Sequence, residues 1–343
     1  GCMAQKEADA LLERLPHLDL VLGTRAIARL SPLLDRVLAT GQPQTCVEVL
    51  DEAYPADVIP VRQRPLKALT NIIFGCNKSC SYCIVPRTRG QEVSRPWREI
   101  IAEVEHLARH GYREITLVGQ NVNNYRQPGE GTRSFGNLLR RAGRAAAEAV
   151  PDGEAPWIRY ITSHPRDCND AHIQAVAETP NVCENFHLPV QAGSNPVLER
   201  MRRVYTREHY LDLVGRIRAA VPDATLTTDL IVGFPGETEE QFEETLDLVQ
   251  RVRFDSAYMY MYSTRPGTPA AEEYRDHIPL AVKKRRLARL IELQEAISLE
   301  KNRELIGRTL PVLIEDVAPR TPGDLLARTR GDKMVILPGP AEW

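Results

Sequence analysis

Phe74-Gly-Cys-Asn-Lys-Ser-Cys-Ser-Tyr-Cys-Ile-Val-Pro86 puts three thiols within eight residues, Cys76, Cys80 and Cys83, at C-x3-C-x2-C spacing. One loop can then wrap a single metal cluster. Thiolate is the usual ligand of iron–sulfur clusters, and a 4Fe-4S cluster normally takes four. Three protein ligands leave one iron open to a substrate or cofactor. The apolar, β-prone run from Leu69 to Phe74 sets the loop at the C-terminal end of a strand, where α/β proteins place their chemistry. A zinc site is the alternative and asks for a second ligand pair. The nearest candidates, His164 and Cys168, lie in a distant segment. Purely structural thiols are the third reading. A disulfide framework does not suit seven cysteines in a chain of this size.

Outward from the loop, residues 66–280 alternate strands and helices. Strands are expected at 69–74, 114–119, 157–162, 185–190, 225–232 and 256–263. Helices are expected near 96–110, 134–149, 169–178, 206–220 and 238–252. Ile100, Ile101, Val104, Leu107 and Ala108 trace one apolar face at helical spacing. Six such repeats with right-handed crossovers predict an open, partial barrel, short of the ~250 residues of a complete eight-fold one. Upstream, residues 1–60 read as a small α/β piece. It holds a helix from Ala4 to Arg14, a short strand at Asp19–Gly23, a helix capped by Thr24 and running to about Leu38, and a linker at 41–65. Downstream, Leu280 to Ile306 reads as one long charged helix with a mostly solvated face. Short β segments follow at Thr309–Glu315, Leu325–Thr329 and Lys333–Leu337.

The chain has 343 residues, 43% apolar and 26% charged, ordinary for a globular protein of two or three domains. No apolar run approaches the ~20 residues of a membrane span, and no secretory signal is expected. Unpaired cysteines at cluster spacing point to a reducing, cytoplasmic setting. A net charge of −2 argues against a globally basic nucleic-acid coat and leaves room for a local basic face.

The cysteine spacing, with Tyr82 just before the last thiol, resembles the radical S-adenosylmethionine superfamily. The longer stretch Gly75 to Pro96 resembles its tRNA methylthiotransferase branch. So do Leu117-Val-Gly-Gln-Asn-Val-Asn-Asn-Tyr125, Thr162-Ser-His-Pro165, His187-Leu-Pro-Val-Gln-Ala-Gly-Ser194, Ile231-Val-Gly-Phe-Pro-Gly-Glu237 and Ser263-Thr-Arg-Pro-Gly-Thr-Pro-Ala270. The resemblance implies an α/β fold, a partial six-repeat (β/α) barrel of the radical SAM type. A truncated N-terminal α/β domain would precede it and a truncated C-terminal β-barrel (TRAM-like) domain would follow. The implied domains are 1–60, 61–280, a connecting helix at 281–307, and 308–343.

The resemblance also implies the site. Cys76, Cys80 and Cys83 would hold a 4Fe-4S cluster, and Tyr82 would abut the adenine of S-adenosyl-L-methionine. Gln120, Asn121, Ser163, Gln191, Gly233 and Glu237 would contact the cofactor from the strand ends. Here the sequence departs from the superfamily pattern, since Asp229 stands where a glycine is common. Gly233–Glu237 also reads as a plain turn into a helix, and His187 equally as a core histidine. Gly1-Cys2-Met-Ala-Gln5 resembles the segment carrying the third ligand of an auxiliary 4Fe-4S cluster, so Cys2 is an expected ligand whose two companions would lie upstream. Cys46, Cys168 and Cys183 match no cluster spacing and read as structural.

The activity implied is methylthiolation at carbon 2 of N6-isopentenyladenosine beside the anticodon of tRNA. A flavodoxin or ferredoxin would donate electrons, and a sulfur donor or cluster-assembly system would restore the sulfur. Rival readings are the methylthiotransferases acting on threonylcarbamoyl-adenosine or on a ribosomal-protein aspartate. A non-enzyme reading is an RNA-binding iron–sulfur protein. RNA contacts are expected from Arg320, Arg328, Arg330 and Lys333, with Lys283 to Arg286 nearby.

Overall fold

The computed structural model describes residues 1–48, 62, 66–129 and 134–339. Helices α1 (Cys2–Glu7) and α2 (Ala10–Arg14) replace the single helix expected from Ala4 to Arg14. The break is at Ala8, whose φ of 45° ends the first helix with no glycine to announce it. Strands β1 (Leu20–Leu22) and β2 (Gln44–Cys46) pair in parallel around helix α3 (Leu30–Thr40). The expected linker therefore contains a strand, while 49–61 and 63–65 lie outside the described residues. Thr24 does not cap the helix, which starts at Leu30 after a 3₁₀ turn. Its hydroxyl instead donates to the Thr88 carbonyl at 2.5 Å.

The barrel begins with β3 (Lys67–Asn71). A small antiparallel pair follows, β4 (Ile73–Phe74) with β5 (Val93–Ser94), and between them lie the cysteine loop and helix α4 (Val85–Arg89). Then come α5 (Trp97–Arg109), β6 (Glu114–Val118), α6 (Phe135–Glu148), β7 (Trp157–Tyr160), α7 (Asp170–Glu178) and β8 (Asn185–His187). Next are α8 (Asn195–Arg200), α9 (Arg207–Ala220), β9 (Thr225–Val232), α10 (Glu239–Val252) and β10 (Ser256–Met261). Two parallel sheets, β3-β6-β7 and β8-β9-β10, follow chain order, and an Ile158–Val182 bridge just ahead of β8 links them. Among the described strands β10 does not pair with β3, so the barrel is open.

The core lies between these strands and the outer helices. Ile100, Val104, Leu107 and Ala108 of α5 are buried at the spacing of one helical face. Strand β9 alternates strictly: Leu226, Thr228, Leu230 and Val232 are buried, and the apolar members of this set join the same core as Leu248 and Val249 of α10. Thr227, Asp229 and Ile231 must then face the barrel interior. Thr238 and Gln241 form a capping box that starts α10 where its apolar stripe begins.

Beyond helix α11 (Pro269–Glu273), helix α12 (Leu280–Arg303) packs on α10 and β10. Its buried stripe is Lys283, Arg286, Leu290, Gln294 and Ile297, so two expected surface charges point inward. The chain closes with an antiparallel sheet, β11 (Val312–Val317), β12 (Asp324–Thr329) and β13 (Met334–Pro338). Arg159 of β7 joins this sheet to the barrel. It pairs with Glu114 at 3.0 Å and donates to the carbonyls of Arg330 and Thr329 at 3.0 and 3.3 Å.

Candidate functional site

The cysteine loop is sewn down on several sides. Gly75 takes φ 73°, and a Cβ there would drive into the carbonyl oxygens of Gly90 and Gln91, so only glycine fits. Its N–H donates to Gln120 Oε1 at 2.7 Å, and the Cys76 N–H donates to the Gly90 carbonyl at 3.1 Å. Ser81 fixes the middle of the loop: its hydroxyl donates to the Arg200 carbonyl at 2.7 Å, and its own carbonyl accepts from Ala270 N–H at 2.8 Å. The Cys83 N–H closes a tight turn on the Cys80 carbonyl at 3.0 Å.

Cys80 is buried, while Cys76 and Cys83 are half-buried. Burial pushes the Cys76 thiol up to about 12, and the neighbouring Cys80 and Cys83 sulfurs add to the shift. Burial likewise raises Cys83. Cys76 and Cys83 therefore stay protonated at neutral pH until a metal supplies positive charge. Among the described residues no trio of His, Cys, Asp or Glu closes tightly enough on a single metal ion. Cys168 and Cys183 are buried elsewhere, pushed up to about 12 by burial, and Cys46 is half-buried. Cys2 lies in α1, which packs on α4 directly after the cysteine loop.

Sequence reasoning missed Arg203. This guanidinium is 4% exposed. It donates to Cys80 Sγ and to the Tyr82 hydroxyl, both at 3.3 Å, to the Tyr205 hydroxyl at 2.8 Å, and to the Pro189 carbonyl. Arg202 and Val204, on either side of it, take φ 56° and 50°. For a β-branched valine that is a true outlier, and such strain collects at functional sites. The sequence signal was only a pair of arginines, which reads as surface charge.

The strand ends bring Gln120, Asn121, Ser163 and Gln191 to the same end of the barrel as the loop. Gln120 is held by Gly75. Asn121 donates to Asp167 at 2.8 Å; among the described residues its Oδ1 is buried without a partner, and so is Ser163 Oγ. Asp167 also pairs with Lys78 of the loop at 2.6 Å. Gln191 holds φ 76° and bridges to β9 through its backbone. Spare buried polar atoms beside three thiols fit a zwitterionic nucleoside cofactor on an iron–sulfur cluster.

Glu237 and Gly233 fit that role less well. The Glu237 carboxylate accepts from the Gly233 N–H at 2.6 Å and pairs with Arg286 at 3.0 Å, so it braces its own loop. Burial still holds its pKa above the ordinary carboxylate value. The plain-turn reading describes this segment best. Lys283 is likewise internal, bound to Asp276 at 2.6 Å and to the Tyr262 carbonyl at 3.1 Å. His187 faces the interior, with Nδ1 3.0 Å from Thr227 Oγ1.

Three of the residues expected to contact RNA are paired within the chain. Arg328 pairs with Glu315 and Asp332 at 2.8 and 3.0 Å, Arg330 with Glu184 at 2.6 Å, and Lys333 with Asp255 at 3.2 Å. Together with Lys283 and Arg286, they neutralise carboxylates within the chain and present no free row of charge. Arg320, Lys284 and Arg285 remain exposed.

An open six-stranded parallel barrel with a three-thiol loop at its C-terminal mouth is the architecture of a radical SAM protein. The Radical SAM superfamily profile matches residues 70–249 and the TRAM domain profile residues 303–343. Among solved structures, the cobalamin-dependent S-adenosylmethionine radical enzyme OxsB aligns with TM-score 0.55 at 13% identity, over 86% of this chain and 42% of that one. The radical S-adenosylmethionine methyltransferase TsrM from Kitasatospora setae aligns with TM-score 0.51 at 19% identity, over 61% and 38%. Curated relatives are far nearer in sequence. The tRNA-2-methylthio-N(6)-dimethylallyladenosine synthase of Carboxydothermus hydrogenoformans is 46% identical over 99% of this chain and 76% of its own length. That of Thermoanaerobacter pseudethanolicus is 47% identical over 99% and 71%. The chain belongs to this family, the radical SAM methylthiotransferases of tRNA.

Proposed function

We propose that this protein converts N6-dimethylallyladenosine in tRNA to its 2-methylthio derivative. The similarity over 99% of the chain to relatives so named carries the reading. Cys76, Cys80 and Cys83 would hold the 4Fe-4S cluster, with S-adenosylmethionine bound beside it. When bound, these groups would supply one-electron cleavage of the sulfonium and a methyl group for sulfur. The chain's own part is to bind, orient and keep water out. Arg203 holds a donor against Cys80, Tyr82 covers the loop, and Asn121, Ser163 and Gln191 offer polar atoms at the strand ends. Cys2, on the helix that packs against α4, belongs to the auxiliary cluster. The working division is 1–60 for that cluster, 61–280 for the barrel, 281–307 for the connecting helix and 308–343 for RNA binding. A flavodoxin or ferredoxin donor, a sulfur donor and a cytoplasmic location complete the proposal; no described helix is long and apolar enough to cross a membrane.

The test is mass analysis of tRNA nucleosides from cells lacking the gene. The 2-methylthio nucleoside should disappear, its dimethylallyl precursor should accumulate, and the wild-type gene should restore the product. Alanine at Cys76, Cys80 or Cys83 should fail to restore it, and the purified variants should lack the reducible cluster. Normal product in the deleted strain rejects the function, and a wild-type cluster signal in all three variants rejects the ligand assignment.

A further inference from the structure

The inner wall of the barrel carries large side chains that nothing among the described residues covers. On β10, Tyr258 and Tyr260 are 55% and 54% exposed. They lie in register with Asp229 and Ile231 of β9, the interior-facing set, while Met259 between them and Met261 after them pack on the core. Both rings therefore face inward, two residues apart on one face. No hydrogen bond reaches either hydroxyl among the described residues. Across the opening, Leu69 of β3 is 62% exposed; its neighbour Thr70 turns outward to Glu103 of α5, which puts Leu69 on the inner side. Ile161, just after β7, is 39% exposed.

Polar groups stand beside the rings. His187 Nδ1 is 3.0 Å from Thr227 Oγ1, its Nε2 is 3.6 Å from Asp229, and its ring meets Tyr258 edge-on at 6.1 Å. Tyr258, His187, Thr227 and Ile161 line a cavity of about 900 Å³, whose lining also takes in Met334 and Ile336 of β13 and the charged Asp255, Arg328, Asp332 and Lys333. Tyr260 lies one step further along β10, toward the strand end where the cysteine loop sits. The inner wall thus has flat aromatic faces, a hydrogen-bonding edge and an apolar lining at Leu69 and Ile161.

We propose that Tyr258 and Tyr260 form the stacking wall that receives the target nucleobase out of its RNA stack, and that the apolar lining receives its hydrocarbon N6 substituent. This rests on the proposed function and assigns its substrate site. A base has a π face and a polar edge, and aromatic stacking is the general way proteins hold an unstacked one.

The test compares an anticodon stem–loop RNA carrying N6-dimethylallyladenosine with the same RNA carrying plain adenosine, by fluorescence anisotropy. Wild type should prefer the modified RNA. Tyr258→Ala and Tyr260→Ala should each weaken its binding by about tenfold, the scale of one lost stacking contact, and leave the plain RNA within about twofold. Tyr258→Phe and Tyr260→Phe should restore the preference. Both positions are exposed, so these changes spare the core. A preference that survives unchanged in both alanine variants overturns the stacking wall alone. Equal wild-type affinity for the two RNAs overturns the wall and the substrate reading together.

Discussion

Arg203 shows how much one side chain can do where the sequence is mute. Its guanidinium lies 3.3 Å from the Cys80 sulfur, buried, with strained backbone on either side. Hydrogen bonds and positive charge near ligand sulfurs raise the reduction potential of an iron–sulfur cluster. Arg203→Met should therefore lower the potential of the reconstituted protein, by on the order of 50 mV if one charged hydrogen bond is lost. Lysine should recover part of the shift. An EPR-monitored redox titration gives the answer, and an unmoved midpoint in a variant that still loads iron would make Arg203 a structural brace only. The cysteines were legible because their chemistry is written in linear spacing. Arg203 was not, because it meets Cys80 from 123 positions away. Glu237 fell to the same blindness: Arg286, which claims its carboxylate, comes from 49 positions downstream.

Among the elements, the long helices and parallel strands were legible to within a few residues, since each announces its buried face by period. The N-terminal piece was not. Its helices and strands are short, and what fixes them is contact with the barrel. Where elements meet, His172 of α7 sits edge-on to Phe135 of α6 and Tyr160 of β7, at 4.9 and 5.0 Å, and against Phe186 of β8. Burial lowers its pKa from 6.5 to about 3. A histidine with a depressed folded pKa adds stability in full above 6.5 and loses it as pH falls from 6.5 toward 3. Between pH 7 and pH 5 the loss is about 2 kcal/mol, at about 1.4 kcal/mol per unit. Urea unfolding of the wild type at the two pH values should show that drop, and His172→Phe should show a drop smaller by about that amount. Identical pH dependence in the two proteins would mean the ring is not held neutral.

For the whole molecule, the fold class was readable from the sequence. The destination of charge was not. A basic cluster and its partners can be counted in a sequence, but only the fold decides whether they meet. Here Arg330 clasps Glu184 and lies over Trp157 at 5.8 Å, Lys333 reaches Asp255, and Arg159 holds two carbonyls of the last sheet. Arg330→Ala should accordingly loosen the sheet from the barrel by about 1–3 kcal/mol, the cost of leaving partly buried acceptors unpaired. Limited proteolysis and hydrogen exchange should report faster opening confined to residues 312–338. Should exchange there stay at the wild-type rate while RNA affinity falls, Arg330 serves the RNA after all.

The N-terminal piece grips the barrel in a lopsided way. Thr24 donates to the Thr88 carbonyl, and Arg25 donates to those of Arg89 and Gln91 at 3.1 and 2.5 Å. In these three bonds the donor is a side chain and the acceptor is backbone. Whatever amino acid occupies 88, 89 or 91, the carbonyl is still there, whereas the donors vanish with Thr24 and Arg25. Inherited variation should therefore be tolerated on one side of this joint and punished on the other. A drifting lineage can rewrite the segment after the cysteine loop and keep the N-terminal piece in place, so long as two residues at the far end of the clasp hold still.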